Sequence, residues 1–397
     1  MFINKLYVLL SLLFLINLKG EDKRFVIIIP SYKNAGFYKK NIDSAITQNY
    51  DKSKFRIVYV DDWSPDDTAI YVEKYIKEKN VSDIFKLRKN RLRRGAMGNL
   101  WSEINLADPE EIVVMLDGDD SLKDQDVLKY LNETYQDNNI WLTYGQYECD
   151  PIKYGLGFAA SYSDEVKKNR DYRNEFLATH LRTFYAWVFQ NIKVEDLVFD
   201  DVFATMTWDC AIMFPSLEMC GNKHKFISKI LYKYNMENPL SDFKTDPTLM
   251  YFMADYYKKQ KPKYAQLTAP KFIPAKGRYN NPFAVSFIYG VDKYLSPGID
   301  INLADFKGRT PLIQSVKFGI ASFIEFLVDK GADVNRADFD GMTPLMYAVI
   351  FTNTDTVKYL ISKGAIASNV NNFGYNAIYY AKKYNKGDIL SILENAK

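Results

Sequence analysis

The chain has 397 residues, of which 47% are hydrophobic and 25% are charged, and its formal net charge is +3. This length corresponds to two or three domains of roughly 100–200 residues each, and the ordinary composition argues against long disordered regions. The small net charge argues against nucleic-acid binding as the main activity. The three cysteines have no Cys-x-x-Cys spacing, so they indicate neither a metal site nor a disulfide framework.

The first 20 residues differ in character from the rest of the chain. Lys5 precedes an apolar run from Leu6 to Leu18, and the small residue Gly20 follows shortly after it. The run is short for a membrane span, which needs about 17–25 apolar residues. The pattern therefore predicts a secretory signal peptide, with an uncleaved N-terminal membrane anchor as the alternative. The protein is expected to be exported or membrane-associated, on a side of the membrane that the sequence leaves open.

Strand and helix patterns alternate from residue 25 to about residue 145. Mainly apolar segments at Phe25–Ile29, Phe55–Val60 and Ile112–Leu116 predict buried strands, and amphipathic stretches between them predict helices. This alternation predicts an α/β fold with a mostly parallel sheet and helices on both faces. A Gly-x-Gly-x-x-Gly motif does not follow the first strand, so a dinucleotide-binding domain is not indicated.

Polar clusters follow three of the predicted strands, at the edge where open α/β sheets bind ligands. They are Pro30-Ser31-Tyr32, Asp61-Asp62-Trp63-Ser64 and Asp117-Gly118-Asp119-Asp120. Asp117 and Asp119 are two residues apart, so both carboxylates can reach one hard cation such as Mg²⁺ or Mn²⁺. The alternative is an acidic turn that caps the next helix. In the second cluster, a carboxylate suits hydrogen bonds from a nucleotide base or ribose.

Four segments, taken in this order and at these separations, resemble a family 2 glycosyltransferase, a nucleotide-sugar enzyme of the GT-A type. They are Ile28–Asn34, Val60–Thr68, Arg94–Asn99 and Leu116–Asp120. The resemblance implies a GT-A domain over residues 21–274, a nucleotide-diphosphate sugar as donor, and Mn²⁺ or Mg²⁺ as cofactor. The acceptor would be a hydroxyl group of a glycan, lipid or protein.

The same resemblance assigns roles to individual residues. Asp61 would hold the nucleotide base, and Asp117 and Asp119 would form the paired-Asp motif, with Asp119 on the metal. The predicted donor-binding residues are Pro30, Tyr32, Asp61, Arg94 and Asp117. The family usually has glycine where Trp63 stands.

The nine residues from Lys86 to Arg94 include six basic ones. Most of such a run is expected to be a solvated face. The exception is Arg93 or Arg94, which precedes the Gly95 turn at a predicted helix N-terminus. There a guanidinium group and free backbone N–H groups can bind a diphosphate.

The predicted catalytic base is Asp209, which lies 12 residues before the helix-ending Gly221. The family typically has a Glu-Asp pair at this place, and here Trp208 replaces the glutamate. Such a carboxylate would deprotonate the acceptor hydroxyl. A helix cap is the alternative role for Asp209, and Asp200 and Asp201 are the substitute bases.

His180 and Arg182 belong to a short polar stretch in the region expected to hold the acceptor. His180 is interpreted as a hydrogen-bonded structural residue, with an acceptor contact or an added metal ligand as alternatives. The same interpretation applies to Arg182.

The C-terminal part of the chain repeats with a period of 33 residues. Gly308, Gly341 and Gly374 are evenly spaced, Thr310-Pro311-Leu312 recurs as Thr343-Pro344-Leu345, and Asn376-Ala377-Ile378 is a degraded third copy. This period and these motifs resemble ankyrin repeats, in which a turn and two helices stack into a solenoid. The resemblance implies an array over residues 275–397 that binds a protein partner; a purely stabilising role is the alternative.

The main prediction is therefore a metal-dependent inverting glycosyltransferase with an attached ankyrin array. A binding protein with an inactive transferase-like domain is the alternative. A nucleotidyltransferase shares the sheet, but it should carry a glycine-rich loop after the first strand, where this chain has Pro30-Ser31-Tyr32-Lys33-Asn34.

Overall fold

The computed structural model describes residues 20–90, 93–199, 202–204, 206–245, 247–273, 300–302, 304, 307–317 and 321–396. The first compact unit comprises the described residues before position 280 except Arg93 and Arg94, and the second comprises those after it. The predicted N-terminal signal or anchor falls almost entirely on residues 1–19, and the predicted domain boundary falls on Pro274 and Ala275. Both lie outside the described residues. Within the described ranges, no helix is long and apolar enough to cross a membrane.

The first unit is built on an eight-stranded mixed sheet and a separate two-stranded antiparallel sheet. The strands are β1 Phe25–Ser31, β2 Phe55–Asp61, β3 Phe85–Lys89, β4 Ile112–Met115, β5 Ser121–Leu122, β6 Leu142–Asp150, β7 Thr183–Tyr185, β8 Val198–Phe199, β9 Val202–Phe203 and β10 His224–Asn235. The order in the large sheet is β3-β2-β1-β4-β7-β6-β10-β5, and β8 pairs with β9 in the small one.

Nine helices of this unit lie in the described residues. They are α1 Tyr38–Ile46, α2 Thr68–Glu78, α3 Gly95–Leu106, α4 Val127–Tyr135, α5 Asp164–Asn169, α6 Ala186–Gln190, α7 Trp208–Cys220, α8 Asp242–Thr245 and α9 Pro247–Lys259.

The central strands of the sheet are parallel, as the sequence predicts. β1 pairs in parallel with β2 and β4, and β2 pairs in parallel with β3. The apolar residues of β1 and β4 are buried throughout, because a strand in the middle of such a sheet is covered on both faces. On one face Phe25, Ile27 and Ile29 join a core cluster with residues of α1, α2 and α4. The α/β prediction is therefore confirmed.

The sequence pattern does not predict strand β7. β7 is three residues long and pairs antiparallel with both β4 and β6. It places Arg182 and His180, which directly precede it, beside the end of β4. The backbone N–H of Met115, the last residue of β4, donates to the carbonyl of Arg182 at 3.2 Å.

The second unit consists of helix pairs that share one apolar core. They are α10 Pro311–Lys317 with α11 Ala321–Asp329, α12 Pro344–Phe351 with α13 Thr354–Ser362, and α14 Ala377–Lys383 with α15 Gly387–Asn395.

The threonine, proline and glycine positions that recur in the repeat begin and end its helices. The Thr343 side chain accepts from the N–H of Met346, and Pro344 begins the helix. After the second helix of two repeats, Gly331 and Gly364 have φ angles of 94° and 92°, which suit glycine. The ankyrin architecture is therefore confirmed.

Candidate active site

The three polar clusters meet at the carboxyl ends of β1, β2 and β4. Ser31 at the end of β1 is the register partner of Asp61 at the end of β2. The N–H of Gly118 donates to the carbonyl of Pro30 at 3.1 Å, so the turn after β4 continues along β1. This arrangement brings the acidic turn next to the Pro30-Ser31-Tyr32 segment, as the predicted α/β sheet requires.

Gly118 separates the two predicted metal ligands because no side chain fits there. A Cβ atom at this position would lie 2.4 Å from Asn34 Nδ2 and 2.9 Å from the carbonyl oxygen of Pro30. The second contact is with backbone and cannot be relieved by a side-chain rotation. The glycine therefore lets Asp117 and Asp119 sit tightly against the end of β1.

The carboxylates after β4 divide into two groups. Asp117 and Asp119 are half-buried and Asp120 is buried. Asp120 points inward, where the hydroxyl of Tyr232 donates to it at 2.7 Å and the N–H of Asn235 at 2.6 Å. Asp119 accepts from Asn238 Nδ2 at 2.6 Å.

The surroundings of these carboxylates disfavour their negative charges. Burial raises the pKa of Asp119 to about 6, and the charge of Asp117 contributes in the same direction. Burial, with the charges of Asp119 and Asp117, also raises the pKa of Asp120 well above its usual value. Crowded carboxylates of this kind are stabilised by a bound cation.

His180 completes the cluster from the segment before β7. Its Nε2 lies 3.4 Å from Asp117 Oδ2, and its ring stacks on Tyr232 with centroids 4.6 Å apart. Burial, together with the Arg182 charge, lowers the pKa of His180, so the ring is neutral at pH 7 and offers a lone pair.

Asp117, Asp120 and His180 each bring one ligand atom to within 4.8 Å of the others. Two carboxylates and an imidazole are a donor set that fits a divalent cation. Asp119, which the sequence predicts as the metal ligand, is not part of this tightest group, although its charge raises the pKa of Asp120. A role as metal ligand is only one of the alternatives that the sequence leaves open for His180.

Asp61 is 3% exposed, and only one of its two oxygens accepts a hydrogen bond within the described residues. Its Oδ2 accepts from the N–H of Ser64 at 3.3 Å, whereas Oδ1 has no hydrogen-bond partner among the described residues. Burial raises the pKa of Asp61. A buried acceptor of this kind gains from a ligand N–H or hydroxyl donor, which is what the predicted base-binding role requires.

Trp63 explains why the family favours glycine at its position. Its φ angle is 58°, in the left-handed region that a large side chain adopts only at an energetic cost. The side chain is 42% exposed, so the tryptophan does not fill the core beneath the turn.

Helix α3 begins at Gly95, but its first N–H group is not free for a diphosphate. Gly95 N donates to Asp62 Oδ2 at 2.8 Å, and Asp62 also accepts from Asn90 Nδ2. The second aspartate of the cluster therefore occupies this N–H group, and the predicted diphosphate contact at the helix N-terminus stays a prediction. Arg94 directly precedes the helix and is half-buried; its predicted contact with the donor stays a prediction, as does that of Tyr32.

Asp209 lies in the first turn of α7 and does not act as its N-cap, which is Thr207. Asp209 Oδ2 accepts a 2.8 Å hydrogen bond from Arg182 Nη2, and Oδ1 accepts from the N–H of Cys210. Arg182 Nη1 also lies 3.0 Å from His180 Nε2. The candidate base is thus linked to Asp117 through two side chains. Asp200 and Asp201, the substitute bases, lie outside the described residues.

Comparison with known proteins agrees with the fold of both units. Residues 26–197 match the sequence model of glycosyl transferase family 2, and residues 280–370 and 336–396 match the model of ankyrin repeats. The chain therefore carries a family 2 glycosyltransferase domain followed by ankyrin repeats.

Among characterised proteins, the chain is similar to the poly(ribitol-phosphate) beta-N-acetylglucosaminyltransferase TarS from two strains of Staphylococcus aureus, Mu50 and MW2. The identity is 29% over 118 residues, which is 29% of this chain. The match spans 20% of the length of these relatives.

Proposed function

We propose that the protein is a metal-dependent, inverting glycosyltransferase that moves a sugar from a nucleotide-diphosphate donor to an acceptor hydroxyl. The observation that carries the proposal is the convergence of Asp117, Asp120 and His180 within 4.8 Å at the carboxyl end of β4. Asp61 lies at the carboxyl end of β2, opposite Ser31 of β1. Its buried Oδ1 has no hydrogen-bond partner among the described residues. A nucleotide-binding edge and a cation site at one sheet edge fit a sugar-nucleotide donor better than they fit a scaffold.

Asp117 and Asp119 would hold the Mn²⁺ or Mg²⁺ ion, with His180 as the neutral side chain beside it. The cation would neutralise charge on the departing nucleotide diphosphate. Asp61 would accept a hydrogen bond from the base, and Pro30, Tyr32 and Arg94 would line the donor. Asp120 lies in the tightest ligand group with Asp117 and His180, so it would be a further ligand, although Tyr232 and Asn235 each donate to one of its oxygens.

Asp209 would take the proton from the acceptor hydroxyl. The acceptor oxygen then forms a bond to the anomeric carbon, while the bond from that carbon to the phosphate oxygen breaks and the nucleotide diphosphate leaves. Attack opposite the leaving group inverts the anomeric configuration. Asp209 Oδ2 is occupied by Arg182, and the side chain is 25% exposed, so the carboxylate has a solvent-accessible side for this step.

The test is release of nucleotide diphosphate by the full chain from a panel of sugar nucleotides, with Mn²⁺ and with a chelator. The name of the similar proteins makes a nucleotide-diphosphate N-acetylglucosamine the first donor to try. Asp119→Asn should abolish metal-dependent release. Asp126→Asn, a surface carboxylate that accepts from Asn49, should leave it unchanged. Metal-independent release, or none from any donor, would contradict the proposal.

The ankyrin array is proposed to bind a protein partner, and two large side chains favour this role over pure stabilisation. Phe339 and Phe373 are 71% and 67% exposed in the turns between repeats. Such aromatic groups are typical contact residues. In a crosslinking experiment, the partner found with the wild type should be lost when both are replaced by serine. Equal crosslinking by this variant would contradict the role.

Residues 1–20 are proposed to direct export or membrane attachment, and residue 274 to end the transferase domain. The apolar run from Leu6 to Leu18 supports the first proposal. Membrane fractionation of the full chain and of a chain starting at Glu21 tests it, since equal distribution of both would contradict the role.

A further inference from the structure

Arg182 uses its buried guanidinium group to join three parts of the candidate site. Its side chain is 3% exposed. Nε donates to the carbonyl of Ala178 at 2.9 Å, Nη1 contacts His180 Nε2 at 3.0 Å, and Nη2 donates to Asp209 Oδ2 at 2.8 Å. Each of the three nitrogens therefore has a polar partner, which fixes the plane of the group.

Two aromatic rings and one backbone hydrogen bond also contact this arginine. The guanidinium carbon lies 5.9 Å from the ring centroids of both Phe176 and Trp208. The carbonyl of Arg182 accepts from the N–H of Met115 at the end of β4. The arginine is thus bonded through its backbone to the strand that carries Asp117, and through its side chain to the helix that carries Asp209.

The contact with His180 also fixes the position of a proton. Arginine is only a donor, so a 3.0 Å contact from Nη1 makes His180 Nε2 the acceptor. The proton of the neutral ring then belongs on Nδ1. Arg182 then uses the single lone pair of Nε2, so Asp117 Oδ2, 3.4 Å from the same nitrogen, receives no hydrogen bond from it. Nδ1 has no hydrogen-bond partner among the described residues.

We infer that Arg182 is a positioning residue, which orients the candidate base Asp209 relative to the carboxylates after β4 and selects the Nδ1-protonated form of His180. The part that concerns Asp209 rests on the proposed function. An aspartate in the first turn of a helix can adopt several rotamers. The hydrogen bond from Arg182 holds the Asp209 side chain in one rotamer. The backbone hydrogen bond between Arg182 and Met115 fixes the position of Arg182, and so of the Asp209 carboxylate, relative to β4.

The first experiment measures sugar transfer by Arg182→Ala in the full chain, with and without millimolar guanidinium. A misplaced catalytic group costs about 100-fold in kcat, so we expect a loss of about that size with a donor KM within about threefold. Guanidinium should restore at least about tenfold of the lost rate, because it refills the cavity. A loss confined to KM, or one that guanidinium does not restore, would overturn the positioning role.

Arg56→Ala is the matched control. Arg56 makes a two-pronged contact with Glu111, through Nε and Nη2 at 2.8 Å each, at the amino ends of the strands. Its loss should lower the thermal midpoint without changing kcat and without a response to guanidinium. A kcat loss of similar size in Arg56→Ala would show that general destabilisation explains both variants, which would overturn the inference.

The second experiment needs no activity, so it separates this inference from the proposed function. The chain has two histidines, and imidazole ¹⁵N NMR distinguishes their tautomers. Metal-free wild type should show His180 protonated on Nδ1, and Arg182→Ala should move that proton to Nε2, where Asp117 can accept it. His224 should stay unchanged as the internal reference. An Nε2–H tautomer in the wild type would overturn the inference even if transfer were fully established.

Discussion

The side-chain amide of Asn41 donates to the carbonyl oxygen of Asp117 at 2.8 Å, which ties helix α1 to the acidic turn after β4. The same nitrogen donates to the carbonyl of Asp120 at 3.0 Å. Asn41 is fully buried. One amide therefore closes both ends of the turn that presents the candidate cation ligands.

Replacing Asn41 with alanine should weaken the cation site more than the fold. Loss of the buried hydrogen bonds is expected to cost about 1–3 kcal/mol of unfolding free energy. Loss of the support behind metal ligands typically costs about 10–100-fold in metal affinity. Mn²⁺ titration followed by electron paramagnetic resonance checks the second value. Asn49→Ala, which removes an exposed hydrogen bond to Asp126, is the control, and equal Mn²⁺ affinity in both variants would contradict the support role.

Gly118→Ala should displace the acidic turn. The added methyl group would meet the carbonyl oxygen of Pro30 at 2.9 Å, so the turn or β1 has to move. We expect the loss of metal-dependent donor binding and a destabilisation of about 1–3 kcal/mol, as for other overpacked sites. Gly36→Ala is the matched control, because nothing lies within 4 Å of a Cβ there. Unchanged donor binding by Gly118→Ala in calorimetry would refute the tight fit.

His224 should make the transferase domain sensitive to acid. It is buried against Tyr172, whose hydroxyl lies 3.0 Å from Nε2, and burial lowers the pKa of His224 to about 4. Because the folded-state pKa lies below the unfolded value of about 6.5, this contribution is complete above pH 6.5 and is lost as the pH falls towards 4.

The effect of His224 is expected to reach about 3 kcal/mol at pH 4. Urea unfolding of the wild type and of His224→Gln between pH 4 and pH 7.5 measures it. The variant should lose less stability on acidification than the wild type. Parallel pH dependence in the two proteins would show that other groups, and not this histidine, control the acid transition.

Arg173 and Glu218 should contribute to stability and not to catalysis. Glu218 is fully buried, and Arg173 contacts both of its oxygens, at 2.6 and 3.0 Å. Arg173 also donates to the carbonyls of Tyr257, Lys261 and Pro262, so it fastens the segment after α9.

Removing Arg173 alone leaves the buried Glu218 carboxylate without its cationic partner, with only the N–H of Tyr264 still donating to it. Breaking a buried ion pair in this way typically costs about 3–5 kcal/mol. Arg173→Met should therefore destabilise strongly, and Arg173→Met with Glu218→Gln should recover part of the loss in a double-mutant cycle. The kcat of the folded fraction should stay at the wild-type value. A selective loss of kcat would place the pair in the catalytic machinery instead.

The parts of the structure that the sequence predicts are those with a strong local pattern. Ile112–Met115 is apolar at every position because both faces of β4 are covered. The 33-residue repeat places Thr343 at a helix N-cap and Gly331 and Gly364 in the left-handed conformation after helices. The pairing of polar clusters at the ends of β1, β2 and β4 follows from the parallel register. Predicting these features requires only a local run of residues or a fixed repeat length.

The parts that the sequence does not predict depend on tertiary contacts. β7 is three residues long and carries no alternation that marks a strand, so the approach of His180 to Asp117 has no local signal. The Arg182–Asp209 pair joins residues 27 positions apart, on different elements. Which of the three carboxylates turns inward is decided by Tyr232 and Asn235 of β10, far along the chain.

The most direct test of the central claim compares sugar transfer by the wild type and by Asp209→Asn, using the donor identified in the panel. The amide cannot accept the hydroxyl proton, so kcat should fall by about 100–10,000-fold while metal-dependent donor binding is retained. NMR of the wild-type product should show an inverted anomeric configuration. An unchanged transfer rate in Asp209→Asn, or a retained configuration, would contradict this account of the active site.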